Sequence, residues 1–136
     1  WGKSTPEEGS RRSVYVFAKR AIPLPELAVL GSPDSSVSCE KRNVSTTAIQ
    51  SLMMLNGSFM ADQSAHLAAR LRDEVGDDPS AQIERLFELA LCRAPRAGEL
   101  ADSIEFLDAS ATGGKSDPLS SLCLVLLNTN EFVYQN

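Results

Sequence analysis

Histidine is almost missing from this sequence and cysteine is scarce. The 136 residues contain one histidine, His66, and three cysteines, Cys39, Cys92 and Cys123. A zinc or iron centre needs several imidazole or thiolate ligands at set spacings, and no C-x-x-C pair occurs. Covalent haem attachment, which requires C-x-x-C-H, has no basis here either. An odd cysteine count argues against a fully paired disulfide framework. No apolar run approaches the ~20 residues of a membrane-spanning helix. No charged-apolar-small leader opens the chain. A chain that begins at Trp1 reads as a fragment. Strand–helix alternation is lacking, which excludes a Rossmann-type arrangement. No cofactor is therefore expected in this chain.

What is present is enough for a core. The apolar fraction is 43% and the charged fraction 23%, which excludes a disordered chain. The net charge is -5, unevenly spread. Residues 1–50 hold 7 Lys+Arg against 5 Asp+Glu, a balance of +2; residues 51–136 hold 6 against 13, a balance of -7. Phosphate neutralisation dominates nucleic-acid affinity, so an acidic chain is a poor general nucleic-acid binder.

Residues 1–10 are polar with Pro6 and Gly9 and read as a flexible entry to one helical domain over 11–136. Val14–Ala18 is apolar between basic flanks and reads as a short helix, broken by Pro23 and Pro25. A helical turn over Glu26–Leu30 ends at Gly31. Residues 31–46 form a long polar loop. Thr47 and Gln50 then fit a capping box, in which hydroxyl and amide each take one orphan N–H of the helix start. Ile49, Leu52, Met53 and Leu55 follow as a short apolar helix, ended by Asn56-Gly57.

Ser58 is placed to cap a helix running to Val75, with Ala61, Ala65, Ala68, Leu71 and Val75 as its buried stripe and Gly76 as its stop. Asp78-Pro79 opens the next, where Ile83, Leu86, Phe87, Ala90 and Leu91 recur at helical spacing. A helix over about 97–110 carries Leu100, Ile104 and Leu107. Asp117-Pro118 repeats the start signal, and Leu119–Leu127 is apolar nearly all round, which makes it the central helix. Asn128–Asn130 interrupts it, and a last turn contains Phe132. Short connections favour antiparallel neighbours. The fold class is thus all-α: a compact antiparallel bundle of five to six helices, with a long polar loop and an irregular N-terminal segment. Cys92 and Cys123, inside apolar patterns, read as small core residues, and Cys39 as an exposed loop thiol.

No catalytic set assembles. His66 lies on a helix beside Arg70 at i+4 and reads as a solvent-facing residue; one histidine completes no nucleophile–base pair. Gly113-Gly114-Lys115-Ser116 and Gly2-Lys3-Ser4-Thr5 each look like the tail of a phosphate loop without its upstream half, and read as surface loops. Asn43-Val44-Ser45 and Asn56-Gly57-Ser58 fit the glycosylation acceptor pattern, but each asparagine already has a turn or cap role. The most unusual segment is Ser38 to Thr47. Its functional reading is a ligand or partner site at a helix N-terminus. Its structural reading, which we favour, is a loop pinned by its own hydrogen bonds, with Arg42 reaching a carboxylate or a helix carbonyl.

Several motifs carry a family resemblance. Arg11-Arg12-Ser13-Val14-Tyr15, Pro33-Asp34, Cys39-x-x-Arg42-x-x-Ser45-Thr46 and Gln50-x-Leu52-x-x-Leu55-Asn56 resemble a planctomycete-specific domain of unknown function. Arg93-Ala94-Pro95 with Glu99-Leu100, and Leu126-Leu127-Asn128-x-Asn130-Glu131-Phe132, resemble its later motifs. The chain is similar to the C-terminal part of that domain over roughly residues 11–134. It departs at Ala48, where proline is frequent, and at Ala97, where threonine commonly caps a helix. The resemblance implies a large, exported, extracytoplasmic parent protein with a separate cytochrome-c-like domain, and no established activity.

The expected function is a non-catalytic interaction or scaffolding module that packs against other domains of its parent or a protein partner. Arg11, Arg12, Tyr15, Cys39, Arg42, Ser45, Thr46 and Gln50 are its candidate contact residues. An anionic polysaccharide is the alternative partner. The alternative function is the C-terminal part of an extracellular enzyme, polysaccharide-active or redox-linked, whose catalytic residues lie upstream.

Overall fold

Capping chemistry sets most of the helix boundaries. In the computed structural model, which describes residues 25–33, 37–41, 47–111 and 117–134, these residues form seven helices and no strand. They are α1 (Pro25–Val29), α2 (Ala48–Asn56), α3 (Ser58–Val75), α4 (Pro79–Leu91), α5 (Ala97–Ala111), α6 (Pro118–Leu127) and α7 (Asn130–Val133). The all-α class stands, with more helices than the five to six expected because α1 and α7 are short extra elements. The chain divides into two compact units, residues 1–50 and 51–136. The expected helix over Val14–Ala18 and the loop at 113–116 lie outside the described residues.

In the first unit the expected capping box closes. The Thr47 N–H donates to Gln50 Oε1 at 2.8 Å and the Gln50 N–H to Thr47 Oγ1 at 3.3 Å. The Gln50 amide also donates to the carbonyl of Val29 at 2.9 Å, tying the end of α1 to the start of α2. Ala48 in place of proline therefore leaves the helix start capped.

In the second unit both Asp-Pro signals open helices as expected. Asp78 Oδ1 accepts from the Ser80 N–H at 3.3 Å and Asp117 Oδ2 from the Ser120 N–H at 3.2 Å, with proline in each first turn. Thr129 caps α7. Gly76 ends α3 at φ 73, a left-handed value that suits glycine, and its N–H donates to the Arg72 carbonyl. Buried Gln82 donates to the Gly76 carbonyl and covers this corner.

The junction of α2 and α3 differs from expectation. Ser58 is the first residue of α3 rather than its cap; Gly57 holds the cap position and supplies no side chain. Gly57 is not left-handed either: its φ is -69. Its N–H donates to the Met53 carbonyl at 2.8 Å while its own carbonyl accepts from Ala61 at 3.1 Å, so one residue closes α2 and opens α3. A Cβ at position 57 would stand 2.5 Å from the Met53 oxygen. Close approach, not positive φ, is what requires glycine.

The core lies in the second unit. Ala68, Leu71, Ile83, Leu86, Phe87, Leu119, Leu122, Cys123 and Leu126 pack as one cluster. Helix α6 is its centre, touching α3, α4, α5 and α7, as its all-round apolar sequence implied. The α3 stripe needs correction. Ala68 and Leu71 are buried, but Ala61 and Ala65 are exposed, and Ser64 occupies the buried position between them. The Ser64 hydroxyl donates to the Ala61 carbonyl at 2.8 Å, so a polar side chain sits inside without an orphan donor. Ser103 does the same in α5, donating to the Glu99 carbonyl at 2.6 Å. Cys92 is the second correction: it is exposed and ends α4 at φ 54. Helical periodicity does not mark where the chain turns out of the core, and at Cys92 it has already done so. Cys123 is buried as expected.

Candidate functional site

Of the eight candidate contact residues, Cys39 and Gln50 are described. Arg11, Arg12, Tyr15, Arg42, Ser45 and Thr46 lie outside the described residues. Cys39 is exposed, and its thiol donates to the Lys41 carbonyl at 3.3 Å, a local turn contact. Both functions of Gln50, the capping box and the α1 tie, are structural.

The strongest polar constellation lies elsewhere, where two of the later motifs meet. The left-handed turn at Cys92 ends α4 and brings Arg93 to the starts of α5 and α7. Its guanidinium takes Glu99 in a fork, Nη1 to Oε2 and Nη2 to Oε1, both at 2.8 Å. It takes Glu131 in a second fork, Nε to Oε1 at 2.7 Å and Nη2 to Oε2 at 2.8 Å. Nη1 also donates to the Ala94 carbonyl at 3.1 Å. The cation stands 5.4 Å from the centre of the buried Phe87 ring.

An arginine has five N–H donors, and all five are directed at protein acceptors. No donor is left for a substrate anion. Bidentate pairing holds both carboxyl groups below their usual range. Glu99, bonded to Arg93 and to the Arg96 N–H, falls to about 2. Glu131 is lowered mainly by Arg93. The two carboxylates in turn raise Arg93. Glu99 also supplies the start of α5, because its Oε2 accepts from the Arg96 N–H at 2.7 Å. The missing threonine at Ala97 is thus compensated two residues on. Sequence reasoning singled out these motifs one at a time; nothing in a 38-residue separation signals that Arg93 and Glu131 meet.

The other arginines of this unit are likewise engaged. Glu74 bridges Arg70 at 2.6 Å and Arg85 at 2.7 Å, which lowers its carboxyl. Arg85 also reaches Glu88 at 3.0 Å. Arg72 meets Asp117 at 2.6 Å. Burial pushes the Asp117 carboxyl up, but the bonds from Arg72 and Ser120 outweigh it and the net shift is downward. Arg96 lies 3.9 Å from Glu99. His66 is exposed, as expected. Among the described residues no cluster of His, Cys, Asp and Glu is placed to hold a metal ion, and no helix is long and apolar enough to cross a membrane.

What is left unsatisfied is apolar. On α2, Leu52 is 58% exposed and Leu55 52%, one turn apart; Phe59, in the first turn of α3, is 48% exposed. Ile49, a turn before Leu52, is also exposed. None of the α2 residues is buried. The sequence marked this helix as apolar, and its apolar face is turned to solvent.

The family model "Protein of unknown function (DUF1553)", PSD1, matches residues 1–107, which include Arg93 and Glu99 and stop short of Glu131. No curated protein and no solved structure matches the chain. With more than three quarters of its length under that model, the chain belongs to the PSD1 (DUF1553) family of proteins of unknown function.

Proposed function

We propose that this chain is a non-catalytic helical interaction module of a larger, exported protein, and that it acts by covering apolar surface rather than by chemistry. The observation that carries this reading is the exposure of Leu52 and Leu55 on α2 and of Phe59 in the first turn of α3. Burying a fully exposed Leu or Phe side chain stabilises by roughly 1.5–3 kcal/mol, and about half of that is left to gain at each of these half-exposed residues, which favours a covering partner. The polar groups support the same reading. In the second unit each described arginine is held in an ion pair, and Arg93 has no free donor. Arg93 therefore offers no donor to an anionic polysaccharide. The extracytoplasmic setting rests on the motif resemblance alone.

Hydroxyl-radical footprinting tests the reading without knowledge of the partner. The full-length protein from its natural source and this chain alone, at micromolar concentration, are oxidised under the same dose. Leu52, Leu55 and Phe59 are expected to be protected in the full-length protein and labelled in the isolated chain. Equal labelling in both would refute a covering role.

A further inference from the structure

Asn56-Gly57 joins the last residue of α2 to the residue that opens α3, and no other Asn-Gly or Asp-Gly pair occurs in the chain. Asparagine before glycine is chemically reactive. With no Cβ in the way, the glycine nitrogen closes readily on the carbonyl carbon of the asparagine side chain. The fold itself demands glycine here, since a Cβ at position 57 would stand 2.5 Å from the Met53 oxygen. The close approach that shapes the corner thus sets an unhindered nitrogen beside an exposed asparagine. In the closed structure the last turn of α2 withholds both reacting groups. Asn56 Nδ2 donates to the Leu52 carbonyl at 3.2 Å, and the Gly57 N–H donates to the Met53 carbonyl at 2.8 Å. Attack requires the Gly57 nitrogen to lose its proton and the Asn56 side chain to turn over it, so both bonds must break first. Little opposes their breaking. Helix α2 has nine residues, below the ~12–15 at which an isolated helix is even marginal, and none of them is buried. Its bond to the end of α6, from Asn128 Nδ2 to the Met54 carbonyl, is long at 3.4 Å.

We propose that Asn56 is a site of spontaneous deamidation gated by the last turn of α2: the closed turn protects it and local opening releases it. On opening, the Gly57 nitrogen gives its proton to a solvent base and bonds to Asn56 Cγ. A cyclic imide forms, the Cγ–Nδ2 bond breaks, and ammonia leaves after taking a proton from water. Water then opens the imide. Addition at Cγ leaves aspartate; addition at the main-chain carbonyl leaves isoaspartate. One water is consumed and one ammonia released, and nothing is oxidised or reduced. Conversion weakens its own gate. A carboxylate has no donor for the Leu52 carbonyl, and its charge lies at the negative end of the α2 dipole. Isoaspartate also adds a methylene to the main chain at a corner where one residue closes α2 and opens α3. The site thus registers, irreversibly, how much of its time α2 spends open.

The purified chain and a synthetic peptide of residues 52–62 are incubated in the same mildly alkaline buffer. Amide-to-acid conversion is followed by peptide mapping, and isoaspartate by its enzymatic methylation. The chain is expected to convert at Asn56 ahead of Asn128 and Asn130. It should do so more slowly than the peptide, but by less than the ~1,000-fold or more that a route through global unfolding would impose. Leu52→Gly keeps the acceptor carbonyl and lowers helix propensity, and should speed the chain about fivefold while leaving the peptide rate unchanged. Leu71→Ala, held below its thermal midpoint, should leave the chain rate unchanged, because the core need not open. In Asn56→Asp the Gly57 amide should exchange its hydrogen roughly two- to fivefold faster, the cost of a carboxylate at that helix end. A chain that stays unconverted while the peptide reacts to completion, or one that reacts as fast as the peptide, would overturn the proposal. So would a rate that follows Leu71→Ala rather than Leu52→Gly.

Discussion

Truncating Leu71 and Leu52 separately tests which leucines hold the second unit together. Leu71, on α3, is fully buried in the cluster with Ile83, Leu86 and Cys123. Leu71→Ala removes about three methylene equivalents, worth about 2.4 kcal/mol of transfer free energy at 0.8 each. The cavity left behind adds to this, and comparable core substitutions in other proteins cost about 2.7–5.0 kcal/mol. The unit spans 86 residues. At about 2.1 cal/mol/K per residue its unfolding entropy is roughly 0.18 kcal/mol/K, so a loss of about 3 kcal/mol lowers the midpoint by about 15–20 °C. Leu52→Ala removes the same atoms from a side chain that is 58% exposed, on a helix where alanine is the better former. It should cost under about 0.5 kcal/mol, or less than about 3 °C. The assay is thermal unfolding followed by circular dichroism at 222 nm, at micromolar protein. A drop at Leu52 as large as that at Leu71 would mean that the α2 face is already covered within the chain. A drop below about 1 kcal/mol at Leu71 would mean that the cluster is not a packed core.

Other perturbations follow from single contacts. Gly57→Ala should destabilise by about 1–3 kcal/mol in urea denaturation, because the new Cβ meets the Met53 carbonyl; a neutral result would show that the corner relaxes freely. Asp117→Ala removes a cap, the Ser120 hydroxyl bond and the Arg72 pair, and should cost more than Asp78→Ala, for which a cap alone predicts about 0.5–2 kcal/mol. Glu99 is depressed in the folded state from 4.5 to about 2, so its stabilising contribution is complete above pH 4.5 and is lost as pH falls toward 2. Acid titration should show this loss in the natural chain and a shallower one in Arg93→Met, while Arg93→Lys, lacking the fork, should resemble Met; identical acid profiles for all three would count against the clasp. Under a thiol reagent Cys39 and Cys92 should react at once and Cys123 only on unfolding, since burial pushes the Cys123 thiol up to about 12; slow labelling of Cys92 would restore it to the core.

The legible parts of this fold were those whose signals are local. Asp78-Pro79, Asp117-Pro118 and the Thr47–Gln50 box each close within one turn, so spacing alone placed three helix starts. The α4 stripe and the central place of α6 followed from periodicity, because a helix apolar all round has only one place to go. What escaped depends on tertiary placement. Ala61, Ala65 and Ser64 compete for one face of α3, and small side chains carry little apolar signal by which to tell which faces inward. Cys92 ends its helix in a left-handed turn that composition does not mark. Leu52 and Leu55 read as the apolar residues of a short helix, and only the fold reveals that they stand half exposed. The Arg93 clasp joins three segments whose motifs were each visible and whose meeting was not.

The single-residue corner at Gly57 also fixes a phase. Because one extended residue is all that separates α2 from α3, the direction in which Leu52 and Leu55 face is tied to that of Ser64, Ala68 and Leu71. One added residue at this extended corner would change both the direction and the rotation of α2 against the buried stripe of α3, and the leucines would no longer stand where they do. The outward row is thus a property of the register between two helices as much as of the residues in it. Relatives that preserve the leucines but change the length of this corner would present another surface altogether.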